Sequence, residues 1–307
     1  MQLLAPAKLN LYLRVVGQRP DGYHEIETLF ERIDLADELT FAPAARLEVT
    51  CSDPSLDIGP SNLVTKAAAL LQRSEGVSQG AAIHLTKRIP MASGLGGGSS
   101  DAATTLIGLN RLWELGLSRP SLHALGAQLG SDVPFFLEEA AFAIGRGRGE
   151  QCEALTETSP ALWHVLVVPE ARLSTKDVYE GFARAPASRP AGRGLTAQHP
   201  SINIAVHALR NGSLSELATG FTNDLQPEAI RRCPIIQEIQ AYLRDGDCVG
   251  VMTSGSGPSV FGLCRHEAHA HQVVRQLRRR GSSSWFVRVV STVSIAPFAL
   301  RKARVSS

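Results

Sequence analysis

The sequence predicts an α+β fold in two domains, and three observations carry the prediction. The chain has 307 residues, too many for one small core and comfortable for two moderate ones. In its first half, strand-period segments precede helix-period segments without a strict βαβ repeat. A polar stretch near Glu153–Ser159 then gives way to a fresh apolar strand, which sets the expected boundary between domains 1–156 and 157–307. Hydrophobic residues make up 44% and charged residues 20% of the chain, so a sizeable core can form and bulk disorder is not expected.

From Lys8 to Val16 the residues alternate. Leu9, Leu11, Leu13 and Val15 point one way and Lys8, Asn10, Tyr12 and Arg14 the other, the period of a half-buried strand. Arg19-Pro20-Asp21-Gly22 is turn chemistry that ends it. Strands are expected at Arg46–Cys51 and Ala82–Lys87, with a helix over Val64–Gln72 between them, capped by Ser61 or Asn62. Ala102, Leu106, Leu109 and Trp113 form one helical stripe that Gly116 can end. Ser118 caps the next helix, which carries Leu122, Leu125 and Leu129 and stops at Gly130. The second half opens on the strand Trp163–Val168, and Ala183–Ser201 reads as a mobile loop. A helix near Ile235–Leu243 precedes a strand at Cys248–Met252. The last helix, Glu267–Arg280, leads to a strand at Trp285–Ser291.

Composition narrows the function. A net charge of +2 lacks the concentrated basic stripe of a nucleic-acid binder. No run of about 18 apolar residues occurs, so no membrane span is expected. The N-terminus, MQLLAPAKLN, lacks the charged and apolar regions of a secretory leader. Five widely spaced cysteines with no CxxC pair argue against a disulfide framework or zinc site and for a reducing cytoplasm.

The chemistry concentrates in four segments. Pro90-Met91-Ala92-Ser93-Gly94-Leu95-Gly96-Gly97-Gly98-Ser99-Ser100-Asp101 runs straight into the amphipathic helix, with four glycines in five residues. Glycines let backbone N–H groups turn inward as an anion nest, and the helix N-terminus adds unpaired donors and partial positive charge. A polyphosphate fits there, and the hydroxyls of Ser99 and Ser100 lie where a phosphate or Mg²⁺ can be touched. The loop has no GxxxxGK[ST] pattern, and no dinucleotide fingerprint accompanies it. Asp132, in Ser131-Asp132-Val133-Pro134, follows a helix end in a segment that Pro134 should hold extended, and a fixed carboxylate can accept a hydroxyl proton. Lys8 stands beside Asn10 on the polar face of the first strand. Thr253-Ser254-Gly255-Ser256-Gly257-Pro258-Ser259 is a second Gly/Ser turn. Taken singly, Asp132 reads as a turn residue, Lys8 as a solvated charge and the last turn as a plain hairpin.

Together and in this order, the segments resemble the GHMP kinase superfamily. The resemblance rests on Pro6-Ala7-Lys8-Leu9-Asn10-Leu11, Asp21-Gly22-Tyr23-His24, Gly94–Ser100, Ser131–Pro134 and Ser254–Gly257, and spans nearly the whole chain. It implies a two-domain GHMP kinase fold with the active site in the interdomain cleft. ATP and Mg²⁺ are the implied cofactors, and the small-molecule substrate is a cytidine diphosphate, because DGYH and the triple glycine resemble the branch serving isoprenoid-precursor synthesis. By the same resemblance, Lys8 and Asp132 form the catalytic pair, Asp132 as base and Lys8 as its electrostatic partner. Asn62, Lys87, Pro90, Gly94, Leu95, Gly96, Gly97, Gly98, Ser99 and Ser100 are implied to bind nucleotide, Asn62 and Lys87 near the adenine. Asn10, Tyr23, His24, Thr175 and Tyr179 are implied to bind substrate, with cytosine between Tyr23 and Tyr179. Metal ligands stay open, and the chain is expected to act as a monomer or weak homodimer without nucleic acid or membrane. The alternatives are a GHMP kinase for a small polyol or amino-acid alcohol, which needs no flat apolar partner such as Tyr23, and a non-catalytic nucleotide binder. The presence of both Lys8 and Asp132 weighs against the latter.

Overall fold

A computed structural model describes residues 1–156, 161–185 and 201–293 of the chain. Two long strands come first, β1 (Gln2–Gln18) and β2 (His24–Ala44), paired antiparallel over almost their whole length with Lys8 opposite Arg32. The turn at Arg19–Gly22 joins them, as its chemistry predicts. β3 (Leu47–Cys51), α1 (Leu63–Ser74), β4 (Gly80–Thr86), α2 (Gly97–Leu112), α3 (Arg119–Leu129) and α4 (Val133–Leu137) follow, then the hairpin β5 (Phe142–Arg146) and β6 (Gln151–Leu155). The second half comprises β7 (Trp163–Val168), α5 (Thr175–Arg184), α6 (Ile202–Asn211), α7 (Leu214–Thr219), β8 (Thr222–Asn223), α8 (Gln226–Arg232) and α9 (Ile235–Asp245). It ends with β9 (Gly250–Thr253), β10 (Val260–Cys264), α10 (Glu267–Arg280) and β11 (Phe286–Ser291).

The described residues form two sheets. The first has seven strands in the order β3-β4-β2-β1-β8, with β5 on β2 and β6 on β5. The second has four antiparallel strands in the order β11-β7-β10-β9. Helices α1 to α3 cover the first sheet through a core that includes Val64, Leu71, Leu106 and Leu125. Ile236 and Ile239 of α9 and Val273 and Leu277 of α10 cover the second. A third cluster takes Leu9 and Leu11 from the first sheet and Leu166 and Phe261 from the second, so both sheets share one core.

Four expectations need correction. β1 is not half-buried: every residue from Ala5 to Leu13 is buried, because other segments cover the face that carries Lys8 and Asn10. Register shifts between Pro6 and Ala7 and between Asn10 and Tyr12 break the alternation and re-aim the residues between them. Pro134 does not hold an extended segment; it sits in the first turn of α4, where its missing N–H is no loss, and Asp132 has φ −85° and ψ −11°. The α2 helix ends at Leu112, short of Gly116. The whole of β2, the longest strand, has no counterpart in the strands read from sequence. Of the expected loop 183–201, Ala183 and Arg184 belong to α5, and residues 186–200 lie outside the described residues. Among the described residues no helix is long and apolar enough to cross a membrane.

Candidate active site

A cavity of about 1150 Å³ opens between the α2 N-terminus, the start of β1, the β1–β2 turn, α5 and the β9–β10 turn. Sites for one small ligand run to about 300–1,000 Å³, so this one has room for two.

Its floor is the glycine loop. Gly96 has φ +71° and serves as the N-cap of α2, so the first helical N–H groups face the cavity with no side-chain cap between. A Cβ there would lie 3.0 Å from Lys8 Cγ and from Phe136 Cζ, which is how closely the loop packs on β1 and α4. Gly94, at φ +80°, leaves no space at all: a Cβ would come within 2.3 Å of the Ser254 carbonyl oxygen. Lys8 N donates to Leu95 O at 3.0 Å and Ser259 N to Ser93 O at 3.2 Å. Ser254 Oγ accepts from Asn10 N and donates to Gly94 O. Two distant Gly/Ser segments and the first strand are thereby locked together, and the β9–β10 turn is the buried lid over Lys8.

Lys8 is 3% exposed and its ammonium meets Asn10 Oδ1 and, at 3.7 Å, Asp132 Oδ2. Burial lowers its pKa from the ordinary lysine value, with the Asp132 charge opposing. Asn10 is oriented in turn by donating to Thr28 Oγ1 at 2.8 Å. Asp132 is the N-cap residue of α4, and the other end of that short helix is gripped by Arg32. The Arg32 guanidinium donates to the carbonyls of Phe135, Glu138 and Ala140 and lies over the Phe135 ring. Burial brings Arg32 down to about 10, still protonated at neutral pH.

Lys87 lies in a buried cluster under Gly97. Its ammonium contacts Asp37 and, at 2.9 Å, Asp101, and a Cβ on Gly97 would sit 3.4 Å from it. Burial alone would lower Lys87, but the two carboxylates outweigh it and hold the ammonium above its ordinary value. Burial pushes Asp101 up to about 7, with Lys87 opposing. Asp37 also accepts the N–H groups of Arg88 and Ile89, which fixes the chain entering the glycine loop. Asp101 Oδ1 is buried with no protein partner, and Ser99 lines the cavity. Hard oxygen donors of this kind suit Mg²⁺ held mainly by nucleotide phosphates. Among the described residues no three acidic, histidine or cysteine side chains are arranged to hold a metal alone.

At the other end of the cavity, the His24 and Tyr179 rings lie 5.1 Å apart at 32°, and Tyr23 is 56% exposed with the Arg148 guanidinium 5.1 Å from its ring centre. Burial lowers the His24 pKa and raises that of Tyr179. Thr175 Oγ1 meets Ser256 Oγ at 3.0 Å, joining α5 to the β9–β10 turn.

Of the residues singled out from sequence, Lys8, Asn10, Tyr23, His24, Asn62, Lys87, Pro90, Gly94, Leu95, Gly96, Gly97, Gly98, Ser99, Asp132, Thr175 and Tyr179 all line this cavity. Ser100 does not; its hydroxyl is buried in α2 without a partner. Asn62 reaches the wall as the N-cap of α1, its Oδ1 accepting from Val64 N. Sequence reasoning missed Asp37, Asp101 and Arg148. Asp101 had a signal, an acid directly after the serines of the loop. The Gly145–Glu150 run, alternating glycine and arginine, marked a turn worth questioning.

Comparisons with known proteins identify the family and the fold. The family model for the GHMP kinases N terminal domain matches residues 62–139, and that for the GHMP kinases C terminal domain matches residues 205–283. The 4-diphosphocytidyl-2-C-methyl-D-erythritol kinase of Pelotomaculum thermopropionicum is 42% identical over 278 residues, covering 90% of this chain and 93% of the relative. That of Citrifermentans bemidjiense is 38% identical over 295 residues, covering 95% and 99%. A crystal structure of 4-(cytidine 5'-diphospho)-2C-methyl-D-erythritol kinase superposes with a TM-score of 0.76 at 35% identity, covering 95% of this chain and all of that one. Homoserine kinase from Cytophaga hutchinsonii, at 18% identity and a TM-score of 0.73, shares the fold.

Proposed function

This chain belongs to the 4-diphosphocytidyl-2-C-methyl-D-erythritol kinases, a branch of the GHMP kinases, and on that premise we propose how its residues transfer the γ-phosphoryl of ATP to the 2-hydroxyl of that substrate in non-mevalonate isoprenoid synthesis. Membership makes it a small-molecule kinase; the division of labour among its residues is our reading. Residues 1–156 act as the ATP-binding domain and 157–307 as its partner across the cleft.

Phosphoryl transfer has a loose transition state, so positioning and charge neutralisation do most of the catalysis. The N–H groups of Gly96–Ser99 at the α2 N-terminus hold the nucleotide phosphates. Asn62 and Lys87 lie on the side of the cavity proposed for the rest of the nucleotide. Mg²⁺, when bound, neutralises phosphate charge, and Ser99 and Asp101 are the oxygen donors that would face it. Asp132 orients the 2-hydroxyl and takes its proton at Oδ. Lys8, held by Asn10, stabilises the negative charge on the transferring group. Tyr23, His24 and Tyr179 receive the cytosine, for which aromatic stacking contributes about 1–3 kcal/mol per base. Thr175 contributes a hydroxyl to the same end.

The observation that carries this reading is the Lys8–Asp132 pair, 3.7 Å apart and set against Gly96 at the mouth of α2. A base and a cation from sequence positions more than a hundred residues apart meet where the fold gathers backbone donors. Asp132→Asn tests it, because the amide keeps the shape and removes the base. Turnover should fall by about 100- to 10,000-fold, the usual worth of general-base catalysis, while ATP binding persists. Near-normal turnover with the cytidine substrate would remove Asp132 from the mechanism.

A further inference from the structure

The reaction just proposed brings two polyanions into one cavity, and the α2 N-terminus serves only one of them. We propose that Arg148 holds the diphosphate of the substrate and thereby makes the site selective for a cytidine diphosphate over a cytidine monophosphate. This assignment rests on the reading of Tyr23, His24 and Tyr179 as the base subsite and of Asp132 as the acceptor end.

Arg148 lies on the turn between β5 and β6, and that turn is anchored at both ends of the path the diphosphate must span. On one side Gly147 O accepts from Ile26 N at 2.7 Å, two residues past His24. On the other, a Cβ on Gly149 would lie 3.7 Å from Asp132 Oδ1. Arg148 N donates to Glu150 Oε2 at 2.6 Å, which fixes the turn between these anchors. The guanidinium lines the cavity with its carbon 5.1 Å from the Tyr23 ring centre, on a turn whose backbone runs from beside Ile26 to beside Asp132.

Among the cations held inside the cavity, its donors are also the least committed. Lys8, Lys87, Arg148 and Lys176 are the lysines and arginines that line the cavity. Lys8 is bound to Asn10 and Asp132, and Lys87 to Asp37 and Asp101. Lys176 has a side chain 82% exposed, in open water at the rim beside Glu180. The Arg148 side chain is 28% exposed, and its contacts sit at the limit of hydrogen bonding, Nη2 3.5 Å from Ala127 O and Nε 3.9 Å from Glu150 Oε2. A guanidinium carries five donors in a planar fork that matches two phosphate oxygens at once. Asp21, which also lines the cavity, is turned to its own neighbours, accepting from Tyr23 N and Arg19 Nε.

Calorimetric titration of the full chain with cytidine, CMP and CDP tests the proposal, with the nucleotide site filled by a non-hydrolysable ATP analogue. A hydrogen bond to a charged group contributes about 10- to 100-fold in affinity. The wild-type protein should therefore prefer CDP to CMP by about that ratio. Arg148→Ala should bring the ratio close to one and leave cytidine affinity within about threefold, while Arg148→Lys should keep part of the preference. ATP-analogue affinity and melting temperature should match the wild type in both variants, which separates the effect from misfolding. If Arg148→Ala keeps the CDP preference, the assignment is wrong. Equal loss of all three cytidine ligands would instead make Arg148 a support for Tyr23 and also overturn it. If the wild type binds none of the three, the base subsite itself fails, and the proposal falls with it.

Discussion

The contact between Gly94 and the β9–β10 turn makes a quantitative prediction, because the chain contains a matched control. Gly94 and Gly76 both have positive φ, +80° and +65°, yet a Cβ on Gly76 would meet nothing within 4 Å, while one on Gly94 would approach Ser254 O to 2.3 Å. Alanine at Gly76 therefore meets only the left-handed backbone penalty, about 1–2 kcal/mol. Alanine at Gly94 meets the same penalty plus the clash. The neighbour is backbone oxygen, not the end of a flexible side chain, so relief requires the two segments to separate. Overpacking of this kind adds about 1–3 kcal/mol. Gly94→Ala should thus destabilise by roughly 2–5 kcal/mol, against 1–2 for Gly76→Ala, and the difference belongs to the native state because the unfolded chains change alike. At about 2–4 °C per kcal/mol, the Gly94 variant should melt several degrees below the Gly76 variant. Separation of the turn also displaces the loop, so the ATP dissociation constant should rise for Gly94→Ala alone. Equal melting points, or an ATP affinity indifferent to Gly94→Ala, would refute the claim that this contact sets the loop.

Two further predictions concern pH. Burial holds Lys8 below the ordinary 10.5, so kcat/KM should decline as pH rises through a value below 10.5, where the ammonium loses its proton; Lys8→Arg, which stays charged, should move that limb upward in its residual activity, and a limb shared by both proteins would exclude Lys8 as its source. Asp101 is raised from 3.8 to about 7 by burial, so between those values the native protein holds a proton that the unfolded chain has released, and this group's contribution to stability falls as pH rises through that window. Asp101→Asn should flatten the melting temperature profile there, and an unaltered slope would assign the dependence to other groups.

Much of the fold was legible because some elements state their own period. Trp163–Val168 is apolar except for His164, ends at Pro169, and forms β7 with those bounds. Ala270, Val273, Val274 and Leu277 mark the buried stripe of α10, which also starts and ends where expected. The glycine loop was legible because glycine density before a helix has few other uses. What escaped the reading has a common physical cause, namely charged residues neutralised by partners remote in sequence. Within β2, Glu31, Arg32 and Asp37 are fully buried, so a local pattern sees charge where the fold has none exposed. The Glu31 carboxylate meets His164 at 2.9 Å, Arg32 donates to the carbonyls of Phe135 and Glu138, and Asp37 meets Lys87. Lys8 shows the same effect: an alternating strand put it on a polar face, and that face proved to be covered by the β9–β10 turn.

Those buried charges also explain how a base and a cation from separate segments stay in register. Asp132 heads a helix of only five residues, too short to hold itself. Arg32 supplies what the helix lacks, three donors to the carbonyls at its far end, and it sits directly opposite Lys8 in the β1–β2 ladder. The Lys8–Asp132 distance is therefore fixed through one rigid strand pair, not through the loops that flank Asp132. The preceding residue, Glu31, points to the other side of the same strand and takes His164 from the second sheet, with Thr292 donating to it at 2.6 Å. Successive residues of a strand face opposite ways, so β2 clamps the helix bearing the base with Arg32 and the second sheet with Glu31. Because Ser254 of that second sheet's β9–β10 turn in turn contacts Asn10 and Gly94, movement of either sheet about β2 would separate Lys8 from Asp132 and from the glycine loop together. The geometry makes phosphate binding and base alignment one mechanical variable, set by a strand that the sequence pattern did not reveal.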